Sequence, residues 1–336
     1  MEISTQKQLL EHFRQQLKTD TDWRWVSGEH LCLELDGKKT SFDLQAHVHY
    51  NAVDLEQLAK QKDPAPLILV PELTDRFLGK CKQSGLSVID LNGRTWIRGK
   101  GLYIERPPLP DRKYRNANKP RNVFEGKSAR IVRALLSDRN RKWTQAELIR
   151  QTKASQGLVS RVTSYLVEEG YVNKPEDRFY QVSSTLDLLD AWVASDSLKD
   201  RTTCIRLTGL ETDPWFWADR VETWAQDQSI DLAFTQWTAA WERHGYTEPV
   251  ICSAYISEFP PPDQLAEWGA REVSEAGAVW LFKPSDHGVF FETQRHLSRC
   301  LVSDAQIYID LQKTGLRGPE AADALRKGEG FCRNEV

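Results

Sequence analysis

Residues 143 to 182 read W-T-Q-A-E-L-I-R, then S-Q-G-L-V-S-R-V-T-S-Y-L-V-E-E-G-Y-V, then N-K-P-E-D-R-F-Y-Q-V. That order confines the stretch to a capped helix, a second capped helix and a short β-ribbon, the succession a winged helix-turn-helix requires. Thr144 followed by Glu147 is a capping box, in which each side chain bonds an orphan backbone donor of the other residue. Ser155 caps the second helix, along which Leu158, Val162 and Leu166 recur at spacing four beside Tyr165 to give one apolar stripe. Gly170 ends that helix. Residues 171–173 and 179–182 then pair around the turn K-P-E-D, which places Lys174 and Arg178 on a wing. The opposite helix face is left to Gln156, Ser160, Arg161 and Ser164. A face of amide, hydroxyl and guanidinium groups, with no long apolar side chain, suits base edges in a major groove.

The charge of the chain is local. Its formal total is −3, yet residues 111–183 hold 16 Lys and Arg against 8 Asp and Glu, a net of +8 that leaves −11 for the remainder. Much of the excess lies in D-R-K-Y-R-N-A-N-K-P-R-N-V-F-E-G-K-S-A-R-I-V-R, directly before the capped helices, where a basic run is the footprint of a phosphate-binding surface. The rest of the composition excludes rather than assigns. No run of about 18 apolar residues suggests a membrane span, and the N-terminus has no apolar core of a signal peptide. The six cysteines are scattered without a C-x-x-C pair, which fits reduced thiols and a cytoplasmic location.

The expected organisation is α/β and α+β, in several domains. Residues 1–110 form an N-terminal α/β lobe. Leu9, Leu10, Phe13 and Leu17 mark an amphipathic helix over 6–18. Leu31, Leu33 and Leu35 alternate with polar residues up to the turn Asp36-Gly37, after which Phe42, Leu44, Ala46 and Val48 point inward. A helix near 52–61, a buried strand at 67–70, a helix over 74–84 stopped by Gly85, and a strand before the hairpin turn Asn92-Gly93 follow. Residues 111–122 are a basic linker after the breakers Pro107, Pro108 and Pro110. Residues 123–184 are the winged helix-turn-helix, beginning with the helix S-A-R-I-V-R-A-L-L. Residues 185–336 are a second α/β region. It contains a connecting helix T-L-D-L-L-D-A-W-V-A, strands at C-I-R-L, L-A-F, V-I-C-S-A-Y-I and V-W-L-F, a helix capped by Asp213 with Pro214 in its first turn, and a helical tail. In that tail Ile307, Leu311, Ala321 and Leu325 can form one helix-hairpin core, with Asp310 and Arg317 as a structural ion pair.

The stretch V-W-L-F-K-P-S-D-H-G-V-F-F-E, followed by L-V-S-D-A-Q-I-Y-I-D-L-Q-K-T-G-L-R-G-P-E-A-A-D-A-L, resembles the C-terminal region of the AbiEi-type antitoxins of type IV toxin-antitoxin systems. The resemblance covers residues 200 to 327. It is most specific between Val302 and Leu325, where S-x-x-Q-x-Y-x-D-L and R-G-x-E-A-A are matched through Gln306, Tyr308, Asp310, Leu311, Arg317, Gly318, Glu320, Ala321 and Ala322. It implies a DNA-binding antitoxin that represses its own operon, partnered by a nucleotidyltransferase-like toxin. In the family's usual arrangement the winged helix comes first, whereas here it is central and follows an additional α/β lobe.

Three sets of residues invite catalytic or ligand-binding readings. Asp43, Gln45, His47 and His49 share one strand face by their period of two and could hold a metal, but that face is also the ordinary polar side of a half-buried sheet. The order of elements in the first lobe is similar to restriction-endonuclease-like folds, with Glu34, Asp43, Glu72, Asp90 and Glu105 as candidate acids for a Mg²⁺-dependent nuclease. No acid-x-Lys pair follows an acidic strand residue, however, so a degenerate, inactive lobe is the expectation and the nuclease is the alternative. Trp215, Trp217, Trp224, Trp237 and Trp241 could stack on bases, yet their near-helical spacing favours core. No Walker motif, nucleophile elbow or dinucleotide fingerprint occurs, and no catalytic residue, metal or cofactor is expected. The chain is therefore expected to bind double-stranded DNA, with Gln156, Ser160, Arg161 and Ser164 reading bases. Lys153, Lys174, Arg178, Arg112, Lys113, Arg115, Lys119 and Arg121 would contact phosphates, and a homodimer could read two half-sites.

Overall fold

The computed structural model describes residues 3, 5–17, 23–27, 30–35, 38–48, 50, 53–61, 63–99, 101–111, 113–114, 122–174, 176, 178–296, 299–315 and 317–333. Among the described residues there are three sheets in a mixed α/β arrangement, and the chain divides into two compact units, Met1–Pro120 with Ser164–Gly170, and Arg121–Thr163 with Tyr171–Val336.

The first unit is built on a seven-stranded sheet whose strands lie in sequence order. After helix α1 (Gln6–Leu17) come β1 (Trp23–Ser27), β2 (His30–Leu35) and β3 (Lys38–Ala46), which are antiparallel neighbours. Helices α2 (Leu55–Leu58) and α3 (Asp75–Gln83) then carry the chain to β4 (Ala65–Val70) and β5 (Ser87–Asp90), each parallel to the strand before it. Strands β6 (Thr95–Gly99) and β7 (Leu102–Arg106) close the sheet as an antiparallel pair. β4 explains why L-I-L-V has no polar position. Leu67 and Leu69 face a core with Leu9, Phe13, Leu31, Leu33, Phe42 and Leu44, while Ile68 and Val70 face a second core with Phe77, Leu78, Val88 and Trp96. Thr74 caps α3 by accepting from the Phe77 amide, and Gly85 stops it at φ +69°.

The second unit opens with α4 (Gly126–Ser137), β8 (Trp143–Thr144), α5 (Gln145–Thr152) and α6 (Gln156–Glu168), the last residues of which belong to the first unit. β9 (Val172–Asn173) and β10 (Phe179–Val182) follow, and the small sheet has the order β8-β10-β9. Helices α7 (Thr185–Ser195) and α8 (Leu198–Arg201) lead to β11 (Thr202–Thr208), α9 (Pro214–Asp227), β12 (Leu232–Phe234) and α10 (Gln236–His244). Next come β13 (Cys252–Ile256), α11 (Pro262–Glu267), β14 (Arg271–Val273), β15 (Val279–Pro284), a 3-10 turn His287–Phe290, β16 (Gln294–His296) and β17 (Arg299–Leu301). These strands form a mixed sheet of order β14-β11-β15-β13-β12-β17-β16. The chain ends in α12 (Asp304–Gln312) and α13 (Gly318–Lys327).

α12 is the centre of this unit, buried from Asp304 to Leu311. Ile307, Leu311, Ala321 and Leu325 form the core of the α12–α13 hairpin, each at most 2% exposed. The ion pair expected between Asp310 and Arg317 is absent. Asp310 instead receives the Arg201 guanidinium, the Thr235 hydroxyl at 2.5 Å, the Tyr255 hydroxyl at 3.2 Å and the Gln306 amide at 2.8 Å. Arg317 is exposed and lies near Glu320. The difference is physical: a carboxylate with no solvent access needs partners on neighbouring elements, and Arg317 is at the N-cap of α13, outside the core. Trp217, Trp224 and Trp237 are core and Trp215 and Trp241 half-buried. All six cysteines are free. Among the described residues no helix is long and apolar enough to cross a membrane.

Candidate nucleic-acid interface

The helix pair α5–α6 is fixed by local chemistry. The Glu147 amide donates to Thr144 Oγ1 at 3.2 Å, and Glu147 Oε2 accepts the Thr144 amide at 2.8 Å and its hydroxyl at 2.7 Å, closing the capping box. These donors, the backbone amide first, hold the Glu147 carboxyl below the usual carboxylate range. Lys153 ends α5 in the left-handed region at φ +52°, Ala154 is buried, and Ser155 accepts from the Leu158 amide at 3.4 Å. The turn between the helices therefore spans only residues 153–155.

The buried stripe of α6 is rotated by one residue from the expected one. Val159, Val162, Thr163 and Leu166 are at 0% exposure, whereas Leu158 and Tyr165 are half-buried. A stripe at 159, 162, 163 and 166 fits the 3.6-residue period more closely than a strict spacing of four. Thr163 is tolerated inside it because its hydroxyl donates to the Val159 carbonyl at 2.8 Å. The opposite face keeps the composition expected of it: Gln156, Ser160, Arg161 and Ser164 are all exposed, with Gly157 beside them.

The ribbon that follows pairs Gln181 with Asn173 and Val182 with Val172, and β10 continues onto β8 through Phe179 with Thr144 and Tyr180 with Trp143. Trp143 is buried beneath the Arg141 guanidinium, 3.8 Å from the ring centre. Lys174 and Arg178 are exposed at the tip, as is Glu176, which meets Lys142 at 3.2 Å.

The expected phosphate contacts separate into two groups. Lys153, Lys174, Arg178 and Lys113 are exposed, Lys153 with its ammonium 4.9 Å from the Phe291 ring centre. Arg112, Arg115, Lys119 and Arg121 lie outside the described residues. Arg130 and Arg133, part of the basic run read as one phosphate footprint, turn inward. Arg130 Nε and Nη2 donate to the two Asp286 oxygens at 2.7 and 2.8 Å. Arg133 is buried, bonded to Gln306 Oε1 at 2.9 Å and the Gly288 carbonyl at 3.1 Å, and burial brings its pKa down to about 10. Their positive charge is thereby engaged inside the unit, Arg130 with Asp286 and Arg133 buried, which sequence alone did not show. The helix period was the available signal, since Arg130 and Arg133 flank Ile131 and Val132 in a helix with little polar face.

The candidate nuclease acids have other engagements. Both Asp90 oxygens are taken up by backbone amides: Asn92 and Arg94 donate to Oδ1, each at 2.8 Å, and Leu73 donates to Oδ2 at 2.9 Å. Glu105 meets Lys82 at 2.6 Å and also accepts from Tyr103. Asp43 accepts from Gln45 at 2.7 Å and lies 3.6 Å from His30, while Glu34 is 3.9 Å from Lys39. Of the strand-face set around Asp43, His49 lies outside the described residues, and burial lowers the pKa of His47. Among the described residues no three His, Cys, Asp or Glu side chains are placed to share a metal ion. No family model, curated protein or solved structure matches the chain.

Proposed function

We propose that this protein is a sequence-specific, double-stranded-DNA-binding regulator of transcription in which residues 123–184 act as a winged helix-turn-helix. The observation that carries the proposal is the solvent face of α6, where an amide, two serine hydroxyls and one guanidinium are exposed together on a helix whose other face is packed. Gln156, Ser160, Arg161 and Ser164 would read base edges, Arg161 in the bidentate manner that suits guanine O6 and N7. Lys153, Lys174 and Arg178 would neutralise phosphates, together with Lys113 and with Arg112, Arg115, Lys119 and Arg121 of the basic linker.

The resemblance of residues 302–325 to AbiEi-type antitoxins adds the character of this regulator: a cytoplasmic repressor, antitoxin-like in its C-terminal region, with a nucleotidyltransferase-like toxin as the partner it would antagonise. On this proposal the N-terminal lobe, restriction-endonuclease-like in its order of elements, serves binding or assembly and not DNA cleavage. A homodimer reading two half-sites accords with how winged helices meet palindromic sites.

Selection of bound duplexes from a random pool tests the proposal. It predicts an enriched motif and an affinity that falls steeply with salt. Three phosphate contacts alone give a log–log slope near −2.7, at about 0.9 per contact, and a dimer doubles it. A pool that stays random, or binding indifferent to salt, would contradict it.

A further inference from the structure

The second unit contains a cavity of about 480 Å³, away from α6, that nothing above puts to use. Its floor follows from sheet register. Cys204 is paired with Phe282 and Arg206 with Trp280 on the neighbouring strands β11 and β15, so these four side chains share one face of the sheet. Lys199 from α8, Lys313 after α12, and Gln236 at the start of α10 complete the lining with Thr314 and Gly315. The volume lies within the range of roughly 300–1,000 Å³ found for small-molecule sites.

Gln236 is the informative residue. It is 1% exposed, and its Nε2 donates to Thr314 Oγ1 at 3.0 Å. That hydroxyl's own proton is used on the Asp310 carbonyl at 2.5 Å, so the amide cannot be turned round to let its oxygen accept from Thr314. Among the described residues Gln236 Oε1 is thus a buried acceptor with no donor, and the residue also holds a left-handed backbone at φ +47°. An unmet buried acceptor and a strained conformation at one cavity-lining position are the combination expected where a ligand supplies the missing donor.

The charge of the lining selects the ligand's sign. Lys199, Arg206 and Lys313 face one acid, Asp196, whose oxygens are already held by Arg201 at 2.8 and 3.3 Å. Trp280, over whose ring the Arg206 guanidinium lies 5.2 Å from the centre, and the buried Phe282, packed on Tyr255, supply the apolar part of the lining. A water could satisfy the amide oxygen but would leave the two lysines without an anion. We propose that this cavity binds a small anion carrying a flat unsaturated ring, the ring against Trp280 and Phe282, the anionic group at Lys199 and Lys313, and a ring or amino N–H donated to Gln236 Oε1. Carboxylate- and phosphate-bearing molecules share this chemistry.

Calorimetric titration of the full-length protein with salicylate and, separately, adenosine monophosphate tests it and distinguishes the two anionic groups. One of them should saturate at one molecule per chain and protect Cys204 from alkylation. The double variant Lys199→Ala/Lys313→Ala changes two exposed side chains, so it should fold normally and bind roughly tenfold or more weakly, having lost two ionic contacts. Gln236→Leu, which removes one neutral acceptor, should also bind more weakly, by less than the double lysine variant. Failure of both probes to saturate, unchanged affinity in the double lysine variant, or full reactivity of Cys204 with the probe bound would each overturn the proposal. No residue of the cavity belongs to the exposed face of α6, so these outcomes are independent of whether the protein binds DNA.

Discussion

The Arg130 guanidinium grips Asp286 through two parallel hydrogen bonds, 11% and 21% exposed on the two sides. Removing one partner of such a pair leaves a partly buried charge uncompensated, so Arg130→Ala should cost about 2–4 kcal/mol in urea unfolding. DNA affinity, measured where the variant remains folded, should not change, because that positive charge is already paired with Asp286 and is not offered to a phosphate. His244 offers a test by pH. Burial keeps its imidazole below the ordinary value of 6.5, and Nδ1 accepts the Tyr246 amide at 3.1 Å, a bond that protonation would break. A depressed folded pKa means the contribution is present above about pH 6.5 and lost as pH falls through the folded value. The thermal midpoint should therefore drop on going from about pH 7.5 to 5.5, and less steeply in His244→Asn, whose side-chain oxygen can still accept that amide. At this scale sequence conveyed side-chain chemistry and little orientation. Arg161 and Arg133 are the same residue on two amphipathic helices; one is exposed and the other buried, and beyond the helix period it is the partners brought by distant segments, Gln306 and Gly288, that accommodate the buried one.

Elements whose causes are local were legible. The capping box at Thr144 and Glu147, the hairpin turn at Asn92-Gly93 and the Asp213-Pro214 start of α9 each need only residues a few positions apart, and all occur where the sequence places them. Thr144→Ala deletes both the hydroxyl that caps α5 and its bond to Glu147, and should lower stability by about 1 kcal/mol in chemical denaturation, with Thr144→Ser recovering most of it. Among the elements the sequence did not disclose are α10 and the short strands β14, β16 and β17, of three residues each. Those strands exist through pairing with β11, β12 and one another, and three residues are too few to show a period. α10 opens at Gln236 with a positive φ that no propensity would suggest and no side-chain cap at Thr235, whose hydroxyl goes to Asp310 instead. The one-residue rotation of the α6 stripe has a similar origin, since a threonine hydroxyl satisfied within the helix reads as polar in sequence and behaves as core.

Over the whole molecule, the mixed α/β class and the two-faced burial of β4 follow from runs of apolar residues, whereas the order of strands in the second sheet does not. β12 lies between β13 and β17, and β15 between β11 and β13, pairings that join residues tens of positions apart. Contacts also tie α4 to the C-terminal region through Arg130, Arg133, Asp286 and Gln306 within one compact unit. Residues 123–184 expressed alone should therefore lack a cooperative thermal transition, with Ile131, Val132 and the two arginines left without their partners. A fragment with a sharp, native-like transition would show that α4 does not need them. The central claim concerns the exposed face of α6, and its most direct measurement is titration of Arg161→Ala and Lys174→Ala against the selected duplex and a scrambled one. The account predicts that Arg161→Ala loses about 1–3 kcal/mol on the selected site and little on the scrambled one, while Lys174→Ala weakens both alike. Equal losses for Arg161→Ala on the two duplexes, or none on either, would contradict it.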